Sequence, residues 1–160
     1  MTSVDHIPVR VVVGVEGASA DDVLRQLGDT LVTAGDVDPE YVTDVIRREE
    51  VFPTGLPTDP PVAMPHADPD HVRRSAIAVG ICRSPVLFRE MGNPMRSLSV
   101  RVIFLLAIRE KTQVAPLLRD LVSALRDQDR LSALQDVTAP EQAGRILAEM
   151  LRTSATHTDR

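Results

Sequence analysis

Of the four histidines in the sequence, His66 has the neighbours that most restrict its direction. It follows Pro61-Val62-Ala63-Met64-Pro65 and precedes Ala67-Asp68-Pro69, so a short extended segment delivers the imidazole and a turn carries the chain away. Pro65 fixes its own φ and restricts the residue before it, which lowers the entropy cost of holding one ring in a defined direction. An unperturbed imidazole has a pKa of about 6.5, so near neutrality it is a nucleophile that needs no strong base beside it. Spacing alone leaves a second reading open, in which the ring only hydrogen-bonds the backbone of its loop.

Other chemistry fits the sequence less well. His66, Asp68, Asp70 and His71 match no common ligand spacing, so no metal is expected. Cys82 lies inside the apolar run Ala76-Ile77-Ala78-Val79-Gly80-Ile81-Cys82, with no base or helix N-terminus to activate it, and reads as an inert buried thiol. Gly14-Val15-Glu16-Gly17 lacks both the Walker spacing with its lysine and the dinucleotide pattern of glycines, so no nucleotide or other cofactor is expected.

Composition narrows the class of protein. A chain of 160 residues, 43% hydrophobic and 26% charged, fits one compact domain that needs no metal or disulfide to hold it. The single cysteine cannot form an internal bridge, which fits a reducing compartment. No apolar run approaches the roughly 18 residues that span a bilayer, and the N-terminal MTSVDHIP has no basic flank leading into an apolar stretch. A cytoplasmic protein without membrane insertion is therefore expected. With a net charge of −5 and only Tyr41, Phe52, Phe88 and Phe104 as aromatics, the chain lacks the basic, ring-bearing face that nucleic acid requires.

The elements that must position His66 follow from periodicity. Val9 to Val15 is a β-branched run and reads as a buried or edge strand, with its edge free to pair or be covered. Ala20, Val23, Leu24, Leu27 and Leu31 recur at helical spacing, with Ser19 or Asp21 as the cap and Gly35 as the stop. Asp38-Pro39 opens a second helix reaching about Glu50. From Phe52 to Pro69 the density of prolines predicts a long stiffened loop, of the kind that is usually functional. Ala76 to Cys82 reads as a strand, Ser84-Pro85 as a turn, and Leu98 to Ala107 as the longest strand, covered on both faces.

Val114 to Leu125 predicts a helix that starts near Thr112 and so tolerates Pro116, and a short helix covers Leu131 to Leu134. Thr138-Ala139-Pro140-Glu141 has the form of a capping box and opens a last helix reaching Leu151. The expectation is an α/β fold, a three-layer α/β/α sandwich on a mixed sheet, as a single domain over 1–152 with a frayed tail over 153–160.

Three groups of residues, taken in order, resemble a known family. Arg48-Glu49, Pro53-Thr54-Gly55-Leu56 and Val62-Ala63-Met64-Pro65-His66-Ala67 are similar to the signature of the mannitol and fructose type of enzyme IIA in the bacterial phosphoenolpyruvate-dependent sugar phosphotransferase system. Ala76-Ile77-Ala78-Val79, Pro85-Val86-Leu87-Phe88 and Val102-Ile103-Phe104-Leu105-Leu106-Ala107 fit the same pattern, and the likeness runs from about Val9 to Leu151. The Pro-Thr-Gly-Leu element and the region of Gln113 look most like the galactitol branch.

The resemblance implies a phosphoryl carrier. His66 would accept a phosphoryl group from the phosphohistidine of the small carrier HPr, through Nε2 in the family geometry. It would pass the group to a cysteine of enzyme IIB, for a sugar that crosses through the membrane enzyme IIC. A guanidinium forks onto phosphate oxygens, which makes Arg48 the candidate donor, with a solvated helix-end arginine as the plain alternative. Thr54 would donate its hydroxyl or brace the turn at Gly55.

Gln113 stands where several mannitol-type members carry a second histidine; its amide can hydrogen-bond but carries no charge, or it only solvates a first turn. An apolar collar of Phe52, Leu56 and Met64 or Met91, edged by Arg89, would receive both protein partners. The rival reading keeps the fold and uses the phosphorylation state of His66 to select a regulatory partner, as nitrogen-regulatory relatives do.

Overall fold

The computed structural model describes residues 6–158. The chain begins with β1 (Val9–Val15), α1 (Ala20–Thr33) and α2 (Pro39–Val51), followed by the two-residue strands β2 (Gly55–Leu56) and β3 (Val62–Ala63). A long hairpin of β4 (Ala76–Glu90) and β5 (Asn93–Ala107) comes next, then α3 (Lys111–Ala124), α4 (Gln128–Gln135) and α5 (Pro140–Thr158). The strands form one mixed sheet. β1 runs parallel to β4, β4 antiparallel to β5, and β5 parallel to β3. β2 pairs antiparallel with β3 and meets the far end of β4 at Gly55 and Glu90, so the pairings close a circuit.

Both faces of the sheet are covered, as the unbroken apolar run of β5 predicts. Ala76, Ala78, Ile103 and Leu105 pack with Val23, Leu27, Tyr41 and Val45 of α1 and α2. The alternate residues Ile77, Val79, Val102 and Phe104 pack with Leu117, Leu121, Leu131 and Leu147 of the last three helices. This period of two, read off on both sides, is what makes the layers α/β/α. Each fully buried Leu or Val contributes roughly 1.5–3 kcal/mol through surface removed from water.

Local signals account for most element ends. Ser19 caps α1, its hydroxyl accepting the Asp22 N–H at 3.3 Å, and Gly35 takes a φ of 81° beyond the helix end. Asp38 sits at the cap position of α2 with Pro39 behind it, but its carboxylate is bonded to Arg73 Nε at 2.6 Å instead.

Five sequence expectations are corrected. The Pro-rich segment is not wholly irregular, because β2 and β3 form within it where no proline interrupts. Ser84-Pro85 is not a turn: β4 continues through it, and the register shifts between Ile81 and Val86, since Pro85 has no N–H for the ladder and the strand bulges. The true turn lies at Met91-Gly92, where Gly92 adopts a φ of 76°, and β5 accordingly starts before Leu98. Finally, Pro140 takes the first position of α5, so Ala139 rather than Thr138 precedes the helix and its carbonyl accepts the Ala143 N–H at 3.3 Å. α5 continues to Thr158, past the expected end near Leu151, and residues 159 and 160 lie outside the described residues.

One buried charge fastens the edge strand. Asp36 is fully buried between α1 and α2, and it accepts Arg10 Nε at 2.6 Å from β1 and Arg74 Nε at 2.8 Å from the approach to β4. Burial alone would raise its pKa, but the bonds from Arg10 and Arg74 prevail and hold the carboxyl below its ordinary range.

Candidate functional site

His66 stays on the line of β3. Val62 pairs with Val102, Ala63 with Ile103, and His66 with Leu106, all at one register along β5. The Leu106 N–H donates to the Pro65 carbonyl at 3.0 Å, which anchors the residue just before the histidine. The imidazole is then fixed by its own chain: Nδ1 lies 3.0 Å from the Met64 carbonyl oxygen. A carbonyl only accepts, so Nδ1 carries the hydrogen and Nε2 keeps the lone pair. Burial lowers the His66 pKa below its ordinary value; the Met64 bond and Asp68 work against this, and the charge of Arg48 adds to it. The ring is therefore neutral near pH 7, with one nitrogen left for chemistry.

A residue that the sequence reading did not single out holds the other side of the histidine. The Tyr41 hydroxyl, from the first turn of α2, donates to the Leu106 carbonyl at 2.5 Å and accepts the Ala67 N–H at 3.2 Å. Its side chain is buried, with the residue 1% exposed, so these bonds are shielded from water. Burial pushes the phenol pKa up, and it remains a donor at neutral pH. The only sequence signal was a lone tyrosine at a core position of α2.

Arg48 supplies the cation. Its guanidinium carbon lies 5.3 Å from the centroid of the Phe52 ring, a cation–π stack, and its charge is felt at both His66 and Tyr41. Its Nε is buried and makes no hydrogen bond among the described residues, an unspent donor in a partly buried guanidinium. Orphaned buried donors are rare, and an anion is a natural occupant for one. Arg48, Phe52, Ala67 and Asp68 line an open cavity of ≈ 440 Å³ between α2 and the turn after His66.

The other sequence candidates are disposed differently. Thr54 is buried, its hydroxyl donates to Glu49 Oε2 at 2.8 Å and its N–H to Glu49 Oε1 at 2.9 Å. Its carbonyl accepts the Met64 N–H at 3.4 Å, so Thr54 links the end of α2 to the strand that carries His66. Glu49, quoted above only as part of a motif, is the buried anchor of that link. Burial pushes its pKa up to about 7 against the two Thr54 bonds. At Gly55 a Cβ would stand 2.6 Å from the Arg89 carbonyl oxygen, which explains the glycine. Gln113 is exposed in the first turn of α3, where its N–H donates to the Glu110 carbonyl at 2.9 Å, and its side chain makes no hydrogen bond among the described residues.

Asp38, Glu40 and His71 bring one ligand atom each within 4.8 Å of one another, but Arg73 is already bonded to Asp38 as its cation. Cys82 is buried, and burial pushes its thiol up to about 11. The collar is partly as expected. Phe52 and Met91 are 61% and 48% exposed, and Val51 joins them at 68%. Met64 is instead buried, because β3 turns it into the core beneath α3, and Leu56 is half-buried. The Arg89 side chain is bonded to the Glu50 carbonyl at the end of α2.

A proline-stiffened segment that holds an imidazole Nδ1 on its own chain's carbonyl, with an unspent guanidinium donor close by, is an arrangement that can receive an anionic group, here on an α/β/α scaffold. The chain belongs to the family described as phosphoenolpyruvate-dependent sugar phosphotransferase system, EIIA 2, whose model matches residues 8–150. It is 27% identical over 129 residues to the galactitol-specific EIIA component of Escherichia coli K12, covering 80% of this chain and 84% of that protein. It is 30% identical over 91 residues to the transcriptional regulator ManR of Bacillus subtilis, covering 57% of this chain but only 13% of ManR. The fold matches enzyme IIA in a solved complex of IIA mannitol with phosphorylated IIB mannitol from Escherichia coli, with a TM-score of 0.73 and 24% identity over 90% of this chain and 94% of that one. Membership in the family carries a phosphoryl-carrier role in a sugar phosphotransferase system. No helix among the described residues is long and apolar enough to cross a membrane.

Proposed function

We propose that this protein is a phosphohistidine carrier in which His66 accepts a phosphoryl group from phosphorylated HPr and gives it to a cysteine of enzyme IIB. The observation that carries this reading is the Nδ1–H bond to the Met64 carbonyl, which leaves Nε2 as the free nucleophile. In the first step the Nε2 lone pair forms a bond to phosphorus. The donor P–N bond breaks, and its electron pair returns to the donor ring. Positive charge grows on the His66 ring as the bond forms, and the Met64 carbonyl facing Nδ1–H stabilises it. In the second step a thiolate of IIB attacks phosphorus, and the electrons of the N–P bond return to Nε2.

Such a transfer needs in-line positioning and charge stabilisation rather than a base. Arg48 supports the second need, with its buried Nε as the donor that a phosphoryl oxygen would take up. Thr54 acts by bracing the site through Glu49, since its hydroxyl proton is already committed. Gln113 remains a candidate for a bond to the phosphorylated form from the first turn of α3. The exposed Val51, Phe52 and Met91 fit the collar on which both partners dock in turn.

Likeness to a galactitol-specific EIIA supports galactitol or a related carbohydrate as the transported sugar, with the membrane enzyme IIC as an indirect partner. The likeness to ManR favours a second reading, in which phospho-His66 governs a regulatory partner. Incubation with phosphoenolpyruvate, enzyme I and HPr, followed by a panel of IIB proteins, tests both. An acid-labile phosphate absent from His66→Ala, and discharged to one IIB, supports transport. A label that no IIB removes favours regulation, and no label contradicts both.

A further inference from the structure

Two parallel strands that pair at His66 and Leu106 need two ladder bonds around the histidine: Leu106 N–H to the Pro65 carbonyl, and Ala67 N–H to the Leu106 carbonyl. The first is made at 3.0 Å. The second falls short of hydrogen-bond geometry among the described residues, although the two strands stay paired there. The Tyr41 hydroxyl stands in its place, accepting the Ala67 N–H at 3.2 Å and donating to the Leu106 carbonyl at 2.5 Å. A side chain from α2 has been inserted into a rung of the sheet.

We infer that Tyr41 is a positioning residue for His66, its hydroxyl wedging the chain away from β5 just past the imidazole so that Nε2 is presented in one direction. The inference rests on His66 being the carrier. Residue 65 is bonded directly to β5 and residue 67 through the Tyr41 hydroxyl, so His66 lies between two attachments of different kinds. Between them its Nδ1 meets the Met64 carbonyl. Without the hydroxyl, Ala67 N–H and the Leu106 carbonyl either close on each other or stay unpaired in a buried place. Either outcome rotates the residue between them. A displacement of about 1 Å at a reacting atom costs on the order of a hundredfold in rate.

The test is Tyr41→Phe in the full chain, which keeps the ring and removes only the hydroxyl. Thermal unfolding checks that the variant folds. Nitrogen-15 NMR of the His66 ring reads the tautomer, and transfer from phosphorylated HPr is measured with kcat and KM separated. The expected result is a mixture of tautomers where the parent has Nδ1–H alone, and a kcat lower by about 10- to 100-fold with KM within about threefold. A folded variant with a single tautomer and kcat within about twofold of the parent overturns the inference.

If neither protein accepts a phosphoryl group while the variant's tautomers mix, the carrier reading fails and the positioning role stands. Should the variant not fold, the parent decides. Tyr41 is the single tyrosine in the chain, so 3-fluorotyrosine labels it alone. Its fluorine resonance shifts on phosphorylation of His66 if the wedge is coupled to the ring, and an unmoved resonance overturns the coupling.

Discussion

The Nδ1–H of His66 points into the carbonyl of Met64, 3.0 Å away and on the same short strand that delivers it. A histidine and its own tautomer-setting partner thus travel together on one rigid segment. Nucleophilicity at Nε2 is then governed by the proton that Nε2 must not carry. Burial holds the His66 pKa below 6.5, with Arg48 adding to the effect. Phosphoryl acceptance from HPr should therefore be flat above neutrality and fall only at a lower pH than an ordinary histidine would give. Stopped-flow transfer rates as a function of pH check it, and a limb above pH 7 would contradict it.

Arg48 contributes twice, as a donor with a free buried Nε and as a charge that depresses the His66 pKa. Arg48→Gln should lower the transfer rate by about a hundredfold, the usual cost of losing one charge-stabilising donor. Its acid limb should also move to higher pH, because removing a positive neighbour makes protonation of the ring easier. A slower enzyme with an unmoved limb would leave Arg48 as a partner contact only.

Glu49 makes folding sensitive to pH in the opposite sense from most carboxylates. Burial raises its pKa from 4.5 to about 7 in the folded chain. Between those values the folded state holds more protons than the unfolded one, so stability falls as pH rises through the window. The loss is on the order of 3 kcal/mol across it. Glu49→Gln still meets both Thr54 groups, the amide oxygen accepting the N–H and the amide nitrogen donating to a turned hydroxyl. Urea unfolding at pH 5 and pH 8 should reveal a flatter dependence in the variant than in the parent.

Asp36 is the fully buried partner of Arg10 and Arg74. Asp36→Asn keeps one acceptor oxygen but removes the negative charge and sets an amide nitrogen against the Arg10 Nε–H that Oδ2 accepts. A loss of about 2 kcal/mol is expected, below the full cost of breaking a buried pair because both arginines reach solvent. Chemical denaturation measures it. Phosphoryl acceptance by the folded fraction should be unchanged, since the pair lies on β1 and the α1–α2 turn rather than beside His66.

What could be read in the sequence was what is local. The prolines around His66 announced a stiff, directed imidazole, and helical spacing at Leu24, Leu27 and Leu31 announced the face that α1 buries. Period-two patterning hid in β4, because Ser84-Pro85 has the composition of a turn and only the partner strand keeps it extended. Tyr41 was out of reach for a different reason. Its partner Leu106 lies 65 residues away, and nothing in a buried tyrosine on a helix states which backbone oxygen it will meet. Thr54 lies only five residues from Glu49, yet a threonine that accepts, donates or caps has the same local signature. Asp36 gave no sign of its two arginines, which come from β1 and from the approach to β4.

The most direct test is to load histidine-nitrogen-15-labelled protein from phosphorylated HPr and locate the new bond by phosphorus–nitrogen coupling. The coupling should appear on Nε2 of His66 alone, and His66→Ala should take up no phosphoryl group. Phosphorus on Nδ1, on another residue, or on the His66→Ala variant would contradict the whole assignment.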